Sequence, residues 1–333
     1  MVALSVLSLD LVLAIKRQGI RLLACAVMCL LVLNGVAGNW LMSLGISQQV
    51  YLRDLMFSEI VSDHQRINVN EWLARGFKRD KQTDLYAGYV HPNSLEMLEK
   101  LPKDSDRALA LAIVDVIGHA DGSVCGLETL GATVFDTRRG KGCCSDYSKS
   151  WLFYANYLGL TAREVSLFNH TTVEYWDRQS GRWQWLDPYN RAEMVDAQGQ
   201  AMSLLSVRNA DFGSGVSIKL LPLADAKFDP DQYAGYSRTQ MGTMLWRRGT
   251  NFLEVEAWDR RLQAWGLPKK VRQLVTLVSG VQPGWLMLTT HADHFYYKLL
   301  RSLLWLVGVV WASLNVLLFV CMWQCQKNGM RNP

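Results

Sequence analysis

The chain has 333 residues, 50% of them hydrophobic and 20% charged, with 13 Trp and a formal net charge of +5. So mild a charge, with no basic run interleaved with aromatics, argues against nucleic acid as a partner. Once two apolar terminal segments are set aside, roughly 250 residues remain, enough for one large domain or two small ones with a proper core.

Residues 1–19 read as a short N-terminal segment. Met1 to Ile15 is apolar, is broken by Asp10, and ends at Lys16-Arg17. It is too short to span a bilayer, and fits either a helix lying on the inner surface or a leader. Residues 20–44 are long enough to span, with Asn34 and Asn39 as the main polar interruptions. A cleaved signal peptide, cut near Ala37-Gly38, competes with an uncleaved anchor. Trp40, Leu41, Met42 and Leu44 continue the apolar run and favour the anchor. A second span covers residues 302–323, and Lys327 and Arg331 follow it in the tail, 324–333. Lys16, Arg17 and Arg21 flank the first span, so the positive-inside bias puts both tails in the cytoplasm. Lys298 and Arg301 on the opposite flank weaken that bias without reversing it. The expectation is an integral protein of the inner or plasma membrane, with the bilayer as one partner and the domain between the spans outside.

Residues 45–104 read as a membrane-proximal helical region. Leu52, Leu55, Met56 and Ile60 fall near helical spacing within Gln48 to Phe77, and Val69-Asn70 starts a second helix through Ala74. His91 to Ser94 is a loop and cap leading into Leu95 to Leu101. Residues 105–190 carry the strongest pattern. Ser105 or Asp106 caps a helix whose apolar body runs from Ala108 to Ile117. Gly118 to Gly126 is a break, and Thr133 to Gly142 reads as a polar loop with two glycines at its end. Cys144 to Leu158 is apolar on nearly every face, a helix buried all round and stopped by Gly159. Arg163–Phe168, Thr171–Trp176 and Arg182–Leu186 read as strands, the last two joined by a turn at Asp177 to Ser180. In residues 191–297 the signal fades. Ser203–Val207 and Val216–Leu221 read as strands, Phe228–Tyr236 as loop, Gly242–Trp265 as mixed, and Val271–Val281 as helix.

Cys25, Cys29, Cys321 and Cys325 lie in or beside the apolar ends, leaving Cys125, Cys143 and Cys144 in the globular part. No CxxC occurs there, so a four-cysteine zinc site is unsupported, and no metal or other cofactor is expected. A free thiol titrates near pH 8.5, and a helix N-terminus or neighbouring imidazolium lowers that value. Gly142-Cys143-Cys144 puts a thiol where a glycine loop enters a buried helix. The unpaired N–H groups there favour negative charge and suit a tetrahedral oxyanion. If Trp176 pairs with Gly181 across the turn, His170 faces Asp187 on one sheet face, close enough for the carboxylate to fix an imidazole tautomer.

Four motifs resemble those of the transglutaminase-like superfamily. Gly142-Cys143-Cys144-Ser145-Asp146-Tyr147-Ser148 is similar to its G-x-C-x-(D/E)-(Y/F)-(A/S) nucleophile motif. Leu158-Gly159-Leu160-Thr161-Ala162-Arg163 is similar to L-G-(I/L)-P-A-R. His170-Thr171-Thr172-Val173-Glu174 resembles H-x-W-x-E, with Thr172 in place of Trp. Trp185-Leu186-Asp187-Pro188 resembles the W-x-x-(L/V)-D-P region. The resemblance implies an α+β, papain-like core, its nucleophile helix packed on an antiparallel sheet and flanked here by two transmembrane helices. It also implies Cys144 as nucleophile, His170 as general base and Asp187 as orienting acid.

The expected function is a membrane-anchored extracytoplasmic cysteine peptidase, amidase or transglutaminase acting on envelope peptides or proteins. The alternative is a non-catalytic scaffold among envelope or exopolysaccharide assembly proteins. Cys143 reads as structural; a disulfide with Cys125 in an oxidising compartment is one alternative, and a free Cys143 is the favoured one. A Cys143–Cys144 redox switch is disfavoured by strain. Asp146 and Tyr147 are expected to tether the helix start, and Glu174 to be a solvated or hydrogen-bonding strand residue. His64, His91 and His119 read as surface or capping residues. His291-Ala292-Asp293-His294 reads as an interfacial polar turn rather than a metal site. Trp246 and Trp258, with Arg247, Arg248 and Arg260, suit either ordinary packing, which is favoured, or a carbohydrate or anionic groove.

Overall fold

A computed structural model of the chain describes residues 25, 27–39, 43–44, 46–62, 78–80, 83–90, 92–102, 104–120, 129–167, 170–209, 217–220 and 244–329. In chain order its elements are α1 (Val27–Asn39), α2 (Ile46–Phe57), β1 (Glu59–Ser62), β2 (Lys78–Arg79), a 3-10 turn (Thr83–Tyr89), α3 (Pro92–Glu99), α4 (Asp106–Ile117), α5 (Leu130–Thr137) and α6 (Cys144–Tyr157). There follow β3 (Ala162–Leu167), β4 (His170–Asp177), β5 (Arg182–Asp187), β6 (Ala192–Val195), α7 (Leu204–Asn209), β7 (Ser217–Leu220), β8 (Met244–Arg247) and β9 (Gly249–Thr250). The last are α8 (Phe252–Ala264), α9 (Lys269–Val278), β10 (Trp285–Thr289) and α10 (His291–Gly329). Two compact units emerge: residues 1–56 with 298–333, and residues 57–297.

The second unit is α+β. Its eight-stranded sheet has the order β1-β10-β8-β3-β4-β5-β6-β7, antiparallel throughout except for the parallel β1–β10 pair, and β2 and β9 form a small parallel pair apart from it. Alternation along the strands builds two cores. Val173, Tyr175 and Leu186 cluster with Trp151, Leu152 and Phe153 of α6. Val165, Trp185, Met194 and Trp246 form a second cluster with Leu204 and Val207 of α7. Burying a single large apolar side chain is worth roughly 1.5–3 kcal/mol, so α6, buried on nearly every side, is the best-anchored helix of the unit.

Several boundaries follow local chemistry. Ser105 caps α4, its hydroxyl accepting from the Ala108 N–H at 3.0 Å. Gly159, at φ 78°, turns the chain out of α6. Other stretches depart from the expectation. The expected long membrane-proximal helix ends at Phe57, and Glu59–Ser62 becomes a strand because β10, more than 220 residues later, supplies its partner. The loop expected at Thr133 to Gly142 is helical as far as Thr137. Thr129 caps it through the Ala132 N–H at 3.0 Å, and the Thr133 and Thr137 hydroxyls bond back to carbonyls one turn earlier. Threonine is a weak helix former, which hides this helix from a propensity reading. Ser203–Val207, expected as a strand, is α7, whose Leu204 N–H donates to the Glu174 carboxylate at 2.7 Å. His291 and Asp293 open α10 with Thr290 as cap, the Thr290 hydroxyl accepting from the Asp293 N–H at 3.2 Å. The readings of Met1–Ile15, His64, Val69–Ala74, His91, Cys125 and Phe228–Tyr236 lie outside the described residues.

Among the described residues one helix, Asp293–Gln324 within α10, is long and apolar enough to cross a membrane. The described part of the expected first span, Val27–Asn39, is shorter than a crossing requires. Its Asn34 amide donates to Asn315 Oδ1 at 2.8 Å, and Asn34 Oδ1 accepts from Trp311 Nε1 at 2.7 Å. Asn34, read from the sequence as a polar interruption, and Asn315 thus satisfy one another between apolar helices.

Candidate active site

The start of α6 is held by reciprocal contacts. Gly142 enters it at φ 116°, where an added Cβ would lie 3.0 Å from the Asp146 Cβ. The Cys143 N–H donates to Asp146 Oδ2 at 3.1 Å, closing a box between the cap and the third helical residue. The Tyr147 hydroxyl donates to the Thr137 carbonyl at 2.9 Å, so Asp146 and Tyr147 do tether the helix start. The Ser148 hydroxyl donates to the Thr171 carbonyl at 2.9 Å and ties α6 to β4 beside His170. On the other side of the same residue, the Thr171 N–H donates to the Cys144 sulfur. By position, the N–H groups of Cys144 and Ser145 have no partner inside the helix.

His170 and Asp187 come together from adjacent strands. His170 Nε2 lies 2.5 Å from Asp187 Oδ2; the carboxylate side chain is wholly buried, and the imidazole side chain is 11% exposed. The hairpin register differs from the expected one. Trp176 pairs with Trp183 and Glu174 with Trp185, a shift of two residues. The cause is the turn. Asp177 pairs with Arg182, its carboxylate accepts from the Gln179 and Ser180 N–H groups, and Gly181 takes φ 61°. A shift of two keeps every side chain on its face, so His170 and Asp187 still meet, now as diagonal rather than opposite neighbours. Thr172, in the position where the family pattern has Trp, accepts from Trp185 Nε1 at 2.8 Å.

The turn after Asp187 completes the setting. Asp187 Oδ1 accepts from the Tyr189 and Asn190 N–H groups at 3.0 and 3.1 Å, and Oδ2 accepts from the Asn190 amide at 2.9 Å. The Tyr189 ring packs edge-on against both Tyr147 and His170. Arg191, buried and at φ 58°, reaches the carbonyls of Val114 and Gly118 at the end of α4 and pairs with Asp115. A non-glycine residue at positive φ is uncommon, and this one anchors the loop that carries Asn190. Neither Asn190 nor Arg191 stood out in the sequence. The only clue was their position just beyond Asp187-Pro188.

Cys143 and Cys144 are both free thiols. The hydrogen bond with Cys143, then burial, pushes the Cys144 thiol up, while the Thr171 N–H pulls it down. Burial works against a proton on His170, yet the charge and hydrogen bond of Asp187, with a contribution from Cys143, outweigh it and raise the imidazole above its ordinary value. Cys143 therefore raises both the imidazole and the neighbouring thiol, since negative charge on one sulfur disfavours it on the other. The Cys143 thiol also lies 3.5 Å from Asp146 Oδ2 and 3.4 Å from the Ser145 hydroxyl, within the cap itself.

No family model, curated protein or solved structure matches the chain. The geometry is therefore the main guide to the site. Of the two readings of Glu174, solvated or hydrogen-bonding, the second holds: it is fully buried, taking Arg163 at 2.5 Å, Trp246 Nε1 at 3.1 Å and the Leu204 N–H at 2.7 Å. The Arg163 guanidinium stacks 4.0 Å from the Trp183 ring centre. Trp246 is likewise a core residue, and Arg260 donates to the Tyr89 hydroxyl at 3.1 Å. Among the described residues there is no cluster of three or more side chains suited to a metal ion.

Proposed function

We propose that the chain is a membrane-anchored cysteine acyl-transfer enzyme, a peptidase or amidase acting on peptides or proteins of the cell envelope, with a core of transglutaminase-like, papain-like type. In this reading α1, within a longer span, and α10 anchor the chain, both tails are cytoplasmic, and the domain lies outside. The observation that supports it is the His170–Asp187 contact at 2.5 Å, on the strand whose Thr171 backbone bonds the Cys144 thiol.

The chemistry runs as a Cys-His-Asp sequence. His170 takes the thiol proton, and the sulfur of Cys144 attacks the amide carbonyl. The carbonyl oxygen gains charge facing the N–H groups of Cys144 and Ser145 at the positive end of α6. As the C–N bond breaks, imidazolium returns its proton to the leaving amine. Water then attacks the thioester, loses a proton to His170, and releases the acid and the thiol; an amine in place of water gives transamidation. Asp187 Oδ2 bonds Nε2 and so leaves Nδ1 to exchange the proton.

Labelling with iodoacetamide at neutral pH and turnover of envelope peptides test the reading. Cys144→Ala is expected to lose both, while Cys143→Ser retains turnover. Full activity in Cys144→Ala would reject the enzyme. The second reading, a non-catalytic binding module in an envelope or exopolysaccharide assembly, draws on the upward push that Cys143 and burial give the Cys144 thiol. An inert Cys144 thiol would favour that reading. A protease-protection assay that found residues 57–297 cytoplasmic would overturn the topology.

A further inference from the structure

A second, separate cavity opens on another side of α6. It has a volume of about 270 Å³ and lies among α6, β8, α8 and α9. At roughly 100° per residue, Lys149 is turned about 140° around the helix from Cys144, so this space is not an annex of the thiol site.

Its wall carries polar groups that lack partners. Lys149 lines it and makes no hydrogen bond or ion pair among the described residues. Arg247 places one arm on Glu164 at 2.7 Å, but its Nε is buried without an acceptor. Asn251 donates through its amide nitrogen to Glu254 and to the Val281 carbonyl, yet its buried Oδ1 accepts from nothing. Buried donors and acceptors in native proteins are nearly always paired, and each orphan costs about 1–3 kcal/mol. One orphaned donor, the Arg247 Nε, and one orphaned acceptor, Asn251 Oδ1, thus belong to residues that line this cavity, with the Lys149 ammonium beside them, and point to a solute. Phe252 and Val255 supply an apolar wall, and Glu256 adds a second acceptor. Burial, with the nearby Arg247, also lowers the Lys149 amine from its usual value, against the opposing pull of Glu256, Asp146 and Glu164.

We propose that this cavity binds an amino-acid-sized carboxylate that also carries a hydrogen-bond donor. The carboxylate would meet Lys149 and Arg247, the donor Asn251 Oδ1 and Glu256, and the apolar part Phe252 and Val255. A dianion such as phosphate fits less well, because Glu256 and the Asp259 of the Asp259–Arg272 pair stand in the same wall.

The test uses the full chain in detergent, acylated on its amines by an N-hydroxysuccinimide ester and mapped by peptide. L-Leucine and L-leucinamide, which differ in the carboxylate, are the probes. Leucine at about ten times its dissociation constant is expected to slow Lys149 acylation about tenfold relative to the exposed Lys100, with leucinamide leaving that ratio unchanged, the ratio cancelling the reagent that the probes' own amines consume. Cys144→Ala should show the same protection, which separates this site from the cysteine chemistry. Lys149→Met should lose the rise in melting temperature that leucine gives the parent protein. Equal protection by the two probes, none at the solubility limit of leucine, or stronger protection by inorganic phosphate would each overturn the proposal.

Discussion

Two acid–base pairs stand on the same face of neighbouring strands. Arg163–Glu174 is sealed, its side chains 1% and 0% exposed. Both carboxylate oxygens are engaged, and the guanidinium is stacked on Trp183. His170–Asp187 has an equally saturated carboxylate, but its base is partly open, and Nε2 alone of its ring nitrogens bonds the acid. The chemical types are alike, yet the first pair is closed into the sheet, while the second is the one that the proposed reading asks to move a proton. What distinguishes them is that the imidazole side chain is 11% exposed whereas the guanidinium is sealed at 1%.

Breaking the sealed pair should have the largest effect. Glu174→Ala strands Arg163, the Leu204 N–H and the Trp246 indole in the interior, at a cost of about 3–5 kcal/mol. Thermal unfolding followed by tryptophan fluorescence should show a large fall in melting temperature. The double change Arg163→Met with Glu174→Leu should recover only the part due to the stranded guanidinium, since the Leu204 N–H and the Trp246 indole still lack their acceptor. Failure of that rescue would mean that the pair has a role beyond packing.

The open pair should respond in rate rather than in stability. Asp187→Asn keeps much of the shape but removes the charge that orients His170, and turnover should fall by about 10²–10³-fold, or about 3–4 kcal/mol in barrier. A smaller, pH-dependent effect sharpens the contrast. His170 is raised in the folded chain above its unfolded value of about 6.5, so its protonation favours folding. That contribution is full below about pH 6.5 and is lost as pH rises through the folded value. The difference in melting temperature between the parent and Asp187→Asn should therefore narrow as pH increases. Arg163–Glu174 variants should show no such narrowing over the same range.

The smallest effect belongs to a third polar pair, between apolar helices. Asn34→Leu removes the bonds to Asn315 and Trp311 and should cost about 1 kcal/mol. A shift in detergent-induced unfolding of the full chain would measure it, and no shift would mean that lipid or detergent satisfies Asn315 equally well.

Much of residues 105–190 was legible because its signals are local. A run rich in aromatic and apolar residues and bounded by glycines makes α6, and alternation about the polar turn at Asp177 to Ser180 makes the β4–β5 hairpin. The period of two protected the pairing of His170 with Asp187 even though the register was misjudged, since a slip of two residues keeps each side chain on its face. Where the partner was remote, the reading failed. Glu59–Ser62 looked helical until β10 paired with it, and α7 looked extended until the Glu174 carboxylate took its first N–H. Asn190 and Arg191 were invisible because their importance is a matter of which atoms a turn brings to Asp187 and to the end of α4.

By itself, then, the order of residues determined the nature of the elements around Cys144, His170 and Asp187 and the chemistry they offer, because hydrophobic period and turn composition act over a few residues. Only the tertiary structure decided that Glu174 is a sealed anchor, that Cys143 acts electrically on the same site, and that Lys149, Arg247 and Asn251 leave an unfilled polar space. Burial and partnership are set by segments far apart in the chain, and no local pattern contains them.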